Sequence, residues 1–203
     1  MKSNIRNLFT YNLQRNKLLH NKLTTIKIYN DNINTQKDYL YFNSIKGTFN
    51  HIFLANLLWY MRINQLTVFN LKDVIGNDNN MHNQSRNLSL DNIKYEDLVS
   101  LWKADTIKFH DYFKYEPNWT DNYIIRHEFI NSLIIKHIDG IKDKEFLMPI
   151  TYKNLKGDSL EKILIRILHH LINHETHHIG QISTVMCELS KKDLPGLDYS
   201  YFL

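Results

Sequence analysis

The stretch that decides the fold runs from Gly157 to Ser190 and reads GDSLEKILIRILHHLINHETHHIGQISTVMCELS. Apolar residues recur along it at intervals of three and four, which predicts an amphipathic helix with a broad buried face. We expect Gly157 to end the preceding loop, Asp158 or Ser159 to cap the helix, and Glu161 to complement its dipole. The predicted core face comprises Leu160, Ile163, Leu164, Ile167, Leu168, Leu171, Ile172, Ile179, Ile182, Val185, Met186 and Leu189.

Three further helical regions are predicted upstream of this helix. The first spans about residues 5–28, and its stripe is formed by Leu8, Leu13, Leu18, Leu19, Leu23 and Ile26. The second spans about residues 44–63, with Ser44 as the N-cap. The third begins near Tyr95, breaks around Pro117 and resumes over 121–138. Residues 76–92 are predicted to form a polar loop, and residues 145–152 an extended segment or short hairpin.

The fold class follows from these helices and from the scarcity of turn residues. The chain has only 6 Gly and 3 Pro in 203 residues, whereas a β-sandwich or barrel needs a turn every 8–12 residues. Four amphipathic helices favour an all-α fold, a four-helix bundle with a long irregular middle connection. We expect residues 1–203 to form a single domain.

Composition also bounds the cellular setting and the partners. The net charge of +4 comes without a Lys/Arg-rich block, so a nucleic-acid partner is not expected. No apolar run approaches the roughly 18 residues of a membrane span, and the N-terminus lacks the apolar region of a signal peptide. The single cysteine, Cys187, makes no internal disulfide. These features predict a soluble cytoplasmic protein.

Histidine is concentrated in the last predicted helix. Five of the 11 histidines fall within ten residues, at positions His169, His170, His174, His177 and His178. Residues four apart lie on one helix face, so His170, His174 and His178 form a column. Neutral imidazoles in an apolar helix cost about 1–3 kcal/mol each unless they gain partners, and a shared metal ion supplies one. The spacing therefore predicts a metal site.

A third ligand has to come from another helix. His51 is the best candidate, because it lies beside the core stripe of the second helix; His20, His110, His127 and His137 remain open. Three histidines leave a position for water or substrate, which is the layout of a catalytic site.

Residues 174–178 also match H-E-x-x-H, in which both histidines bind zinc and Glu175 acts as general base. The extended zinc-peptidase pattern fails, because Gln181 stands where a glycine is needed. The third zinc ligand of such a peptidase follows downstream, and Asp198 is at a tolerable distance but lies beyond Pro195-Gly196. A peptidase is therefore the less favoured alternative. Outside that role, Glu175 is expected to be a solvated charge.

The segment 173–181, NHETHHIGQ, resembles the NHxTHHRGQ signature of the DinB-like (DinB/YfiT) metalloprotein superfamily. The resemblance extends to Tyr11-Asn12, to residues 44–51 followed by Trp59, to Gly157, and to the closing residues 197–203. It covers nearly the whole chain except the middle, about 66–150. Ile179 departs from the signature, because the family usually has arginine there, which removes an anion contact.

The resemblance implies a four-helix bundle of the DinB/YfiT type, often a homodimer. It implies a divalent metal ion, zinc or nickel, held by His51, His174 and His178. His177 would then lie behind the ligands or pack elsewhere, and Gln181 would hydrogen-bond a ligand histidine.

Characterised relatives include transferases and isomerases that use a low-molecular-weight thiol, bacillithiol or mycothiol, whose pKa the metal lowers. A metal-dependent thiol S-transferase acting on a small molecule is thus the first expectation, with a hydrolase second. The catalytic group would be water on the metal, with Glu175 as a candidate base. The alternative is a non-catalytic metal-binding bundle in a stress response.

Overall fold

The computed structural model describes residues 1–25, 40, 43–71, 73, 90–102, 119–190 and 194–202. Their α-helices are α1 (Lys2–Thr25), α2 (Ile45–Ile63), α3 (Tyr95–Leu101), α4 (Trp119–Gly140) and α5 (Leu164–Ser190). Two antiparallel pairs of strands accompany them: β1 (Val68–Phe69) with β2 (Ile93–Lys94), and β3 (Pro149–Lys153) with β4 (Ser159–Ile163). Short 3₁₀ helices span Asp143–Leu147 and Tyr199–Phe202.

The four long helices pack side by side around one apolar core. α1 contacts α4 and α5, and α2 also contacts α4 and α5, so each long helix has two long neighbours. The described chain is therefore mostly helical, as predicted, with two small sheets added at the periphery. None of its helices combines the length and the apolar character that crossing a membrane requires.

Helix α2 is the most deeply buried of the long helices. Its predicted cap is confirmed: the Ser44 hydroxyl oxygen accepts a hydrogen bond from the backbone N–H of Gly47 at 2.9 Å. Every residue from Ile45 to Ile63 except Lys46 is buried. A side chain on α2, polar or apolar, consequently meets protein rather than water.

The buried stripe of α1 differs from the predicted one. The buried positions are Ile5, Phe9, Asn12, Arg15, Asn16, Leu19, His20 and Leu23, whereas the predicted Leu8, Leu13 and Leu18 are only partly buried. The prediction was wrong because it admitted only apolar residues to the core face, and polar residues occupy half of it. Ile26 and Ile28 lie outside the described residues.

The predicted start of the last helix is also wrong. Residues 159–163 form β4, which pairs with β3 from Lys153↔Ser159 to Pro149↔Ile163, and α5 begins only at Leu164. The reversal is closed by Asn154, whose side-chain oxygen accepts hydrogen bonds from the backbone N–H groups of Lys156 and Asp158. Leu160, predicted to face the core, is 42% exposed because pairing with β3 turns it outward.

The remaining predictions fall partly outside the described residues. The predicted third region corresponds to α3 and α4, and the break around Pro117 lies in the undescribed residues 103–118. Residues 76–89 of the predicted polar loop are likewise undescribed. The predicted extended segment 145–152 begins as a 3₁₀ turn and becomes β3 at Pro149.

Candidate metal centre

Three histidines from two adjacent helices meet beside the bundle core. His51 lies in the second turn of α2 and is 1% exposed, and His174 and His178 lie one turn apart on α5. One nitrogen from each of the three rings can be chosen so that all lie within 4.8 Å of one another. The contact between α2 and α5 thus brings His51 together with two of the three histidines in the predicted column.

The distances between the rings are short enough for one ion to reach all three. Nε2 of His51 lies 2.9 Å from Nε2 of His174, and the ring centroids of His174 and His178 are 4.5 Å apart. His51 and His178 have centroids 4.8 Å apart. Nitrogens bound tetrahedrally to one ion at ~2.0–2.1 Å lie about 3.3 Å from each other, so small side-chain adjustments suffice.

The environment keeps the three imidazoles neutral. Burial lowers the pKa of His51 to about 2, with His174 and His178 adding to the shift. Burial and the neighbouring histidines lower the pKa of His174 to about 4, and burial lowers that of His178. Since a histidine must be neutral to bind a metal ion, the triad carries the protonation state that a ligand set requires.

Gln181 orients one of these rings. Its side-chain oxygen accepts a hydrogen bond from Nδ1 of His178 at 2.8 Å, one helical turn away. With the proton on Nδ1, the Nε2 of His178 carries the lone pair that a metal ion would use. Three neutral imidazoles, one with its tautomer set by an acceptor, fit a divalent ion.

Two neighbouring aromatic side chains border the triad. The Trp102 ring stands edge-on to His51 with centroids 4.7 Å apart, and His170 extends the predicted column one turn before His174. His177 is exposed and touches only the rim of the cluster, with its ring centroid 4.9 Å from that of His178. His177 thus lies beside one candidate ligand, at the exposed edge of the cluster.

The other histidines left open as third ligands lie elsewhere or are not described. His20 and His127 are buried but do not belong to the metal-capable cluster, and neither does His137 on α4. His110 lies outside the described residues. Asp198, the downstream candidate of the peptidase alternative, is exposed and also absent from the cluster.

Glu175 is not the solvated charge that the sequence suggested. It is 1% exposed, and side chains from other helices hold its carboxylate: Asn16, Asn56, Arg15 and His127. Burial alone would raise the pKa of Glu175, but His127, Arg15 and the hydrogen bond from Asn56 outweigh it and lower the pKa. The carboxylate held in this way is not part of the cluster of His51, His174 and His178, which removes the base that an H-E-x-x-H peptidase needs.

A cavity of about 630 Å³ lies at the other end of α2. Arg62, Tyr95 and Tyr152 are among its lining residues, and none of the three histidines is. Arg62 follows His51 by eleven residues, or about 16 Å along the helix axis. This cavity is consequently separate from the triad.

Sequence reasoning missed the polar residues that hold Glu175: it did not single out Arg15, Asn16 or Asn56, and it considered His127 only as a metal ligand. A signal was present on α1, where Ile5, Phe9, Asn12, Asn16, Leu19 and Leu23 repeat at alternating intervals of four and three. Two asparagines in an otherwise apolar repeat indicate buried amides.

Comparison with known proteins adds one finding. Residues 157–200 match the model of the DinB family. The matched segment includes His174 and His178, and His51 lies outside it. No curated protein and no solved structure matches the chain.

Proposed function

We propose that this chain is a bundle of the DinB/YfiT type that binds a divalent metal ion through His51, His174 and His178. The match of residues 157–200 to the DinB family supports the proposal. The observation that carries the proposal is the meeting of three neutral imidazoles from α2 and α5 within 4.8 Å. Zinc and nickel both suit three histidine ligands.

The same arrangement supports a catalytic role. Three protein ligands leave room for a further ligand, and a divalent ion bound there would lower the pKa of a thiol or water in that position. The chain's own contribution is to hold the imidazoles neutral and to fix the tautomer of His178 through Gln181. We therefore propose thiol S-transfer to a small molecule, with hydrolysis second, by a homodimer in the cytoplasm.

One observation favours a second candidate, a metal-binding bundle without catalysis. The 630 Å³ cavity does not include the triad, and Trp102 packs against His51. A substrate would need space next to the ion, so the two candidates differ in whether a thiol reaches it.

The first experiment is the metal content per chain, measured by elemental analysis on protein purified without an affinity tag. We expect about one divalent ion per wild-type chain and its loss in His51→Ala and His174→Ala. His169→Ala is the matched control, because His169 is exposed on the same helix and should keep the ion.

Wild-type protein that holds no ion after incubation with zinc and nickel would contradict the proposal. If the ion binds, transfer of a low-molecular-weight thiol to an electrophile, abolished by a chelator and by His51→Ala, would establish the catalytic candidate. Absence of turnover together with a chelator-induced fall in the melting temperature would establish the non-catalytic one.

A further inference from the structure

The carboxylate of Glu175 is held by all three of the other long helices. Asn16 of α1 donates a hydrogen bond to Oε1 at 2.5 Å, and Asn56 of α2 donates one to Oε2 at 3.2 Å. Arg15 of α1 lies 3.8 Å from Oε1, and Nε2 of His127 on α4 lies 3.5 Å from Oε2. We call these five residues the Glu175 network. It joins α5 to α1, α2 and α4 at a single carboxylate.

The network lies next to the candidate ligands on both helices that carry them. Glu175 directly follows His174 on α5, and Asn56 follows His51 by five residues on α2, or about 7.5 Å along the axis. The hydrogen bond from Asn56 to Glu175 therefore links the helix of His51 to the helix of His174 and His178. A slide of α5 along α2 would lengthen this hydrogen bond and the His51–His174 contact together.

Arg15 adds a second contact to the same turn of α5. It is 2% exposed, and its guanidinium donates a hydrogen bond to the Thr176 hydroxyl at 3.0 Å while it pairs with Glu175. Two adjacent residues of α5 are thus held by one side chain of α1. Successive residues of a helix point 100° apart, so holding Glu175 toward the bundle interior fixes the direction in which His174 points.

The energetics of buried charge favour a role in specificity over a role in stability. Replacing a buried ion pair by apolar residues is often neutral or stabilising, whereas apolar helix contacts tolerate shifts of register. A carboxylate with partners on three helices keeps all its hydrogen bonds and ion pairs in only one arrangement of those helices. A single buried polar residue fixes the register of some coiled coils in the same way.

We propose that Glu175 is a positioning residue of the candidate metal centre: its carboxylate sets the rotation and register of α5 so that His174 and His178 meet His51. The inference rests on the proposed function for the identity of the ligand. The positions of the three rings, which Glu175 sets, do not depend on any ion.

The test is Co²⁺ affinity, measured by calorimetric titration of the wild type, Glu175→Gln and Leu168→Ala. Glu175→Gln keeps the shape of the side chain and removes its charge, and we expect a 10–100-fold weaker affinity, the range for residues that orient metal ligands. Leu168→Ala is the control for lost stability, because Leu168 is fully buried on the same helix without a polar role. We expect the Co²⁺ affinity of Leu168→Ala to change less than threefold, even if its melting temperature falls as far as that of Glu175→Gln.

Asn56→Leu is the second variant, in case Glu175→Gln does not fold. It removes only the hydrogen bond from α2 to Glu175, and we expect a 3–10-fold loss of Co²⁺ affinity. Wild-type affinity in both variants, or an equal loss in Leu168→Ala, would overturn the proposal.

A metal-free measurement separates this inference from the proposed function. The ring-nitrogen NMR signals of His51 and His174 report their 2.9 Å contact in chelator-treated protein. We expect these signals to move in Glu175→Gln and to stay in place in Leu168→Ala. If the wild type binds none of Co²⁺, zinc and nickel but the signals move, the metal function fails and the positioning role stands. If the signals do not move, the positioning role is wrong.

Discussion

The hydrogen bond between Gln181 and His178 shows how a single residue can tune the triad. An acceptor on Nδ1 of an imidazole fixes its orientation and increases the basicity of Nε2, the nitrogen that faces a metal ion. Because Gln181 is one turn from His178 on the same helix, the bond at 2.8 Å needs no support from another element. Its effect should therefore be separable from folding.

Replacing Gln181 by leucine should weaken metal affinity about tenfold, because the His178 ring loses its acceptor and its fixed tautomer. Gln181→Glu is the matched variant, since it keeps an acceptor of the same reach and should bind at least as tightly as the wild type. Competition titrations against a chromogenic chelator give both affinities. Equal affinities in the two variants would contradict an orienting role.

The same scale shows what single residues reveal in a sequence. Helical spacing predicted the column of His170, His174 and His178 and favoured His51 beside a core stripe. The family resemblance narrowed the ligands to His51, His174 and His178. Glu175 was misjudged, because its local sequence says nothing about Asn16, Asn56 or His127, which reach it from three other helices. Partners that are distant in sequence cannot be read from the spacing around a residue.

At the scale of elements, the β3–β4 hairpin sets where α5 begins. Gly157 lies in the hairpin turn with φ +92°, a conformation that L side chains rarely adopt, and an added Cβ would meet nothing within 4 Å. Gly180 lies inside α5 and has equally open space around its Cβ position. The two glycines therefore differ in backbone conformation and not in steric room.

Gly157→Ala should destabilise the protein by about 1–2 kcal/mol, because the alanine backbone is strained at positive φ. Gly180→Ala should stabilise it by about 0.5–1 kcal/mol, because alanine favours the helix. Urea unfolding of both variants beside the wild type measures the two changes. A Gly157→Ala variant at least as stable as the wild type would show that the turn does not require the glycine conformation.

The elements that the sequence predicts well are those whose signals are local. The bounds of α2 follow from its apolar spacing and the Ser44 cap, and Gly157 correctly marks a loop. The first residues assigned to α5 form β4 instead, since pairing with β3 overrides a helical pattern of apolar residues. Helical periodicity cannot show whether a neighbouring strand is present.

At the scale of the whole molecule, the apolar core of the described bundle also contains buried polar side chains. Asn12, Asn16, Asn56 and Asn131 are each at most 4% exposed, and buried histidines lie among them. Composition gave no warning of this, because a 43% hydrophobic chain has enough apolar residues for an ordinary core. The polar interior makes the stability of the whole fold depend on pH.

The buried histidines give that dependence a definite sign. Burial lowers the pKa of His20 to about 4, with His127 adding to the shift, and the pKa values of His51 and His174 fall to about 2 and about 4. Unfolded histidines titrate near 6.5, so below that pH the unfolded state binds protons that the folded state refuses. These residues therefore do not reduce the free energy of unfolding above pH 6.5, and they reduce it increasingly as the pH falls toward their folded pKa values.

Metal-free protein should therefore lose about 2 kcal/mol of stability for each such histidine between pH 7.5 and pH 5.0. Urea unfolding in the presence of a chelator at pH 7.5, 6.0 and 5.0 measures this loss. Glu175 contributes little to this loss, because an unfolded glutamate with a pKa of about 4.3 is still mostly ionised at pH 5. His20→Asn should reduce the pH-dependent loss of stability by the contribution of one histidine, because asparagine does not titrate. This holds whatever the effect of the substitution on stability at pH 7.5. A flat wild-type profile would mean that the core histidines gain protons without unfolding, and that the bundle interior is open to water.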